Sequence, residues 1–152
     1  MELISLRELA RTVRSRVLRV RTGLWLTPIQ LIGQEPDEAA RISAEAVNMQ
    51  ALWLAQLPKD TRFVGIIGDK LLGAVDQVTQ QTGKNDCTLL YNFDLLLARL
   101  THSERIRVWQ AIYAEMPHRN RGLIVAMPAV AKDLLPDDDA LTHWAQEKRL
   151  AG

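Results

Sequence analysis

Residues Cys87–Asp94 read CTLLYNFD. Cys87, Leu89 and Leu90, with only Thr88 between them, form a nearly continuous apolar run rather than an alternating one, the pattern of a strand buried on both faces of a parallel sheet. Such a run in a phosphate-handling ATPase usually closes on an acid that helps hold magnesium. Here it closes on Tyr91 and Asn92, and the acid, Asp94, falls two residues beyond the usual place. Tyr91 offers no carboxylate and Asn92 only a neutral oxygen, a weak ligand for a hard cation. Asp94 can then be read as the remnant of an ion site or as a cap on the helix of DLLLARL.

Working outward, helical and strand patterns alternate. Leu3, Leu6, Ala10, Val13, Val17 and Val20 recur at steps of three and four, which predicts an amphipathic, Arg-rich helix across residues 1–22, stopped by Gly23. LWLTPIQLIG then suggests a short strand at Ile29 to Ile32, with Pro28 at the sheet margin and a turn at Gly33. Pro36, Asp37 and Glu38 mark the start of a short helix. A brief strand is expected at Ala46 to Met49, followed by a helical turn ended by Pro58, and a longer helix from Asp69 to Thr82 stopped by Gly83. Ser103 with Glu104 opens a helix through Met116, with Ile106, Trp109, Ile112 and Tyr113 (or Ala114) on one face and Pro117 at its end. RGLIVAMP is another buried strand. Asp137, Asp138 and Asp139 begin a last helix whose far end carries Lys148 and Arg149, the charge order that the helix dipole favours. The alternation predicts one α/β domain spanning residues 1–152: a three-layer, P-loop-NTPase-like core with a mostly parallel sheet, preceded by the N-terminal Arg-rich helix.

The 152 residues carry nineteen basic and eighteen acidic side chains, a formal charge of +1, and 47% apolar content. That is enough apolar content for one buried core, and no global field draws the chain to nucleic acid or membrane. Cys87 is the only cysteine; it excludes an internal disulfide and suits a reducing compartment. With neither a signal-like N-terminus nor a membrane-length apolar run, a cytoplasmic protein is expected.

In an open parallel sheet, ligands gather at the carboxyl ends of the strands. The loop after Gly33 should therefore be the phosphate loop. A Walker A loop, GxxxxGK[ST], supplies backbone N–H groups, a lysine and a hydroxyl to a polyphosphate. Gly33 is instead followed by Gln34, Glu35, Pro36, Asp37 and Glu38. There is no lysine and no second glycine, a proline replaces an amide, and three acids stand where phosphates would lie. Such a loop repels a nucleotide. The Thr82–Lys84 stretch, TGK, follows a helix and precedes a strand, the reverse of the required order.

Three stretches carry a family resemblance: AVNMQALWLAQLPKDTR, CTLLYNFDLLL and HRNRGLIVAMP. They resemble the second strand and Leu-rich helix, the Walker B strand, and the Arg-Asn-Arg turn and strand of the small P-loop accessory protein of type 3 BREX phage-defence systems, the BrxF family. Together they cover most of Val47 to Pro128. Where that family carries its Walker A loop, this chain has QEPDEAARISAEA, and where it carries the Walker B acid, this chain has Tyr91. The resemblance implies a shared fold and a defence context without ATP hydrolysis: a noncatalytic accessory subunit with no cofactor, bound to a larger ATPase or methyltransferase. DNA contact and an oligomer are compatible with it, and no membrane association is expected.

Candidate contact residues follow. Arg7, Arg11, Arg14 and Arg21 flank the apolar stripe of the first helix and would present a basic edge to DNA or an acidic partner, unless they form an ordinary solvated face. Arg119 and Arg121 can be read as a finger reaching a neighbouring ATPase site, or as surface residues capping the preceding helix. Trp53 and Trp144 are candidates for a partly exposed interface, whereas Trp109 has the helical phase of a core residue. His102, His118 and His143 lack metal-ligand spacing. A direct DNA-binding module and a small enzyme with an unrecognised nucleotide or ion site are the rival readings.

Overall fold

The computed structural model describes residues 1–56, 68–83, 85–116 and 119–152. The expected helix stops at Pro58 and Pro117, as well as His118 and Lys84, lie outside the described residues.

Five strands, β1 (Thr22–Thr27), β2 (Glu45–Asn48), β3 (Cys87–Tyr91), β4 (Gly122–Pro128) and β5 (Leu150–Ala151), form one sheet in the order β2-β3-β4-β1-β5. Every pairing is parallel. Helices cover both faces. On one side α1 (Leu6–Arg14) and α2 (Glu35–Arg41) enclose Leu9, Val13, Trp25, Ala39, Cys87, Leu89 and Ile124. On the other, α3 (Met49–Ala55), α4 (Gly68–Gln80), α5 (Phe93–Leu97), α6 (His102–Ala114) and α7 (Asp138–Gln146) enclose the larger core, including Leu24, Leu90, Phe93, Trp109, Val125 and Trp144. The nearly continuous apolar character of β3 and β4 therefore serves two cores, one residue to each in turn. Among the described residues no helix is long and apolar enough to cross a membrane.

The first helix is shorter than its periodicity predicts. It begins at Ser5, whose side chain accepts the N–H of Glu8, and it ends at Arg14. The reason is tertiary: the buried Arg21 guanidinium donates to the carbonyls of Val13 at 2.9 Å and Arg14 at 3.3 Å, so these carbonyls find a partner without another helical turn. Val17, read as part of the stripe, is 92% exposed.

The first strand is also displaced from its expected place. It is TGLWLT, with Gly23 inside it rather than ending a helix, and Pro28 follows its last residue. Ile29–Leu31 form a single 3-10 turn, leaving Ile29 and Ile32 exposed. Proline lacks the N–H needed to continue the ladder, so the strand lies before it.

α1 lies close against β1 and β4 because glycines meet it. A Cβ on Gly122 would lie 2.5 Å from the Val13 carbonyl oxygen. α6 opens at Thr101, not Ser103: Thr101 and Glu104 form a reciprocal capping box, with Glu104 N–H to Thr101 Oγ1 at 3.2 Å and Thr101 N–H to Glu104 Oε1 at 3.3 Å. The two-residue β5 had no expectation in the sequence; it pairs with β1 and bridges to Ile4.

Candidate functional site

β1 and β4 lie side by side and end together, Thr27 opposite Pro128. The chain leaves β1 for α2 on one face, and leaves β4 for α7 on the other. Neighbouring strands whose connections depart to opposite faces open a crevice at their carboxyl ends, the place where α/β sheets bind ligands.

The β1–α2 loop lies at that edge. Gly33 takes a left-handed φ of 91°, a conformation that suits glycine, and its N–H donates to Glu35 Oε1. Glu35 is buried despite its charge. The backbone amide that an incoming anion would seek is thus already paired with a carboxylate of the same loop. Pro36 sits in the first turn of α2 and removes a further donor, while Asp37 and Glu38 add negative charge.

The β3 side is also acidic. Asp94 lies in the first turn of α5, half-buried; burial pushes its carboxyl above the ordinary aspartate range, and the nearby Glu35 carboxylate pushes it the same way, against the N–H groups of Asp94 and Leu95. Asp94 is not the N-cap residue. That position belongs to Asn92, in a left-handed conformation with φ 60° and without a capping side-chain bond. Asn92 instead donates from Nδ2 to Asn48 Oδ1 at 3.2 Å, and Asn48 Oδ1 also accepts the Ala51 N–H at 3.2 Å, capping α3. The amide read as a weak ion ligand joins the ends of β2 and β3. Thr27, the last residue of β1, buries a hydroxyl with no hydrogen-bond partner among the described residues.

The candidate arginines do not form one surface. Arg7 and Arg11 are exposed on α1. Arg14 turns inward, with Nε 2.8 Å from Asp86 Oδ1 and a second nitrogen 2.9 Å from the Ser43 carbonyl. Arg21 is not on the helix at all and is 7% exposed, bonded also to the Arg119 carbonyl at 3.1 Å. It carries no basic edge. Arg119 pairs with Asp76. Arg121, 6% exposed, pairs with Glu45 and donates to the Gln81 carbonyl at 3.1 Å. Both lie at the amino ends of the strands, the edge opposite the crevice, and Arg121 has no free length with which to enter a neighbour's site.

Trp53 and Trp144 are core residues rather than interface residues, with Trp144 1% exposed. Trp144 packs edge-on against Tyr113 at 4.9 Å, and the Arg149 guanidinium lies over both rings, 4.5 Å from Tyr113 and 4.7 Å from Trp144. Arg149 also donates to the Thr22 carbonyl at 2.7 Å and the Tyr113 carbonyl at 2.8 Å, tying α6, α7 and the sheet together. Trp109 is in the core, its indole N–H bonded to the Leu134 carbonyl at 2.9 Å. The Cys87 thiol is buried and pushed up to about 11 by that burial, which makes it unreactive at neutral pH.

A groove of about 860 Å³ between α6 and the segment leading into α7 had no signal in the sequence. Ile106, Trp109 and Leu135 line it, with Arg105 and Lys132 set against Asp133, Asp137 and Asp138, so its charge is mixed. Among the described residues no three His, Cys, Asp or Glu side chains are grouped to hold a metal ion. Compared with known proteins, the chain matches no family model, no curated protein and no solved structure.

Proposed function

We propose that the chain is a noncatalytic subunit that works by binding other macromolecules, on an α/β scaffold of P-loop-like arrangement whose phosphate position is closed from within. The observation that carries this reading is the bond from the Gly33 N–H to the buried Glu35 carboxylate. A triphosphate would have to displace that carboxylate and lie beside Asp94, and like charges a few ångströms apart repel by about 4 kcal/mol at an effective dielectric of 20. The resemblance of Val47 to Pro128 to the BrxF family supplies the context: an accessory role in a phage-defence assembly, with a larger ATPase or methyltransferase as partner.

The test is purification of the tagged chain from cells expressing its complete operon. A neighbouring gene product that co-elutes in fixed ratio supports the reading; recovery of the tagged chain alone contradicts it. Direct DNA binding is a weaker second reading, because of the four arginines proposed for it only Arg7 and Arg11 face solvent without internal work. Two phosphate contacts give a slope of about −2 for log affinity against log salt, so a much steeper slope would restore that reading.

A further inference from the structure

Because all five strands are parallel, the sheet has one carboxyl edge and one amino edge, and they differ in charge. At the carboxyl edge Asp37, Asp133 and Asp137 to Asp139, with the buried Glu35 and half-buried Asp94, outnumber the bases Arg7, Lys70, Arg105 and Lys132, while Glu38 is paired to Arg41 and Asp69 to Arg107. Between these acids, Ile29 on the β1 loop and Val130 on the adjacent β4 loop are 68% and 63% exposed. The two loops are held together by the Ala129 N–H donating to the Thr27 carbonyl at 3.0 Å.

At the amino edge the balance is reversed. Its acids Asp86, Glu45, Asp76 and Glu147 are each engaged by an arginine, namely Arg14, Arg121, Arg119 and Arg149. Arg16, Arg19 and Lys148 remain exposed there, with Glu115 as the opposing acid. Arg16 and Arg19 flank Val17, which projects almost fully into solvent.

We propose that these edges are complementary and that copies of this chain associate head to tail, the Val17 turn of one copy seated against Ile29 and Val130 of the next. An apolar contact ringed by opposite charges fixes both the register and the choice of partner. The contact is heterologous, so each copy keeps one free edge, and growth continues until a ring closes or a filament forms. The contact centres on one apolar side chain against two, well short of the ~800 Å² per partner of a standard interface, so association is weak and salt-sensitive. This inference does not depend on the proposed subunit role.

Sedimentation equilibrium across about 5 to 500 μM, at roughly 50 and 500 mM salt, reads it directly. The expected result is an average mass that climbs past the dimer with concentration at low salt and returns to the monomer at high salt. Val17→Asp blocks the amino edge, and the pair Ile29→Asp with Val130→Asp blocks the carboxyl edge. Each variant alone should be monomeric, and an equimolar mixture should form a dimer and nothing larger, since each partner retains one competent edge. All three positions are exposed, and circular dichroism melts check that the variants remain folded. A wild type that stays monomeric at low salt, association that survives both sets of substitutions, or blocked variants that fail to pair when mixed would each overturn the proposal.

Discussion

At Asp94 the cost of holding two carboxylates near one crevice becomes measurable. Burial and Glu35 raise its folded pKa above the unfolded value near 3.9, so the folded state binds the proton more tightly. For an acid with a raised pKa, stability is lost as pH rises from the unfolded value through the folded one. Asp94→Asn should therefore raise the melting temperature at pH 7, and the gain should shrink toward zero as the pH falls to about 3.5. Melting curves of both proteins across that range check the sign. Thr27 is a second test at this scale. Its buried hydroxyl has no partner among the described residues, so Thr27→Val should be neutral or stabilising by up to about 1 kcal/mol, measured by urea unfolding. The buried arginines were not legible in the sequence for a related reason. Arginine is exposed by default, and only the folded chain reveals that Arg21 meets a carbonyl 98 residues away or that Arg149 reaches one 127 residues away.

Among the elements, long apolar runs and crowded charges at a helix start are legible in the sequence. β3 and β4 were legible because nearly continuous apolar runs leave no solvent-facing side, and α7 because its three acids crowd one end. β1 was misplaced because Ile29 and Ile32 suggest a strand more strongly than TGLWLT does, and burial rather than propensity settled the choice. The end of α1 depends on a distant side chain, which periodicity cannot show. β5 is two residues long and gives no periodic signal. Two substitutions test the element account. Thr101→Ala should cost about 1 kcal/mol, while Ser103→Ala should be nearly silent, because the cap of α6 is Thr101. Gly122→Ala should cost roughly 1–3 kcal/mol, since the new methyl meets the Val13 backbone and α1 must move away from the sheet. Chemical denaturation of each variant supplies the comparison.

For the whole molecule, parallel topology places helix starts and strand ends at one edge and strand starts at the other. The acids at the ends of β1, β3 and β4 make that edge negative, and the opposite edge keeps exposed arginines around Val17. The acidity of the β1–α2 loop was legible from Gly33–Glu38, because charge and proline are visible in a loop without its coordinates. The inward turn of Glu35 onto the Gly33 amide was not, since the residues alone do not say which acid bends back. The central claim is that this amide is already occupied and that no nucleotide is bound there. Thermal unfolding with several millimolar magnesium-ATP tests it most directly. The account predicts an unchanged melting temperature; an upward shift worth about 2.7 kcal/mol, the stabilisation expected at a hundredfold excess over Kd, would contradict it.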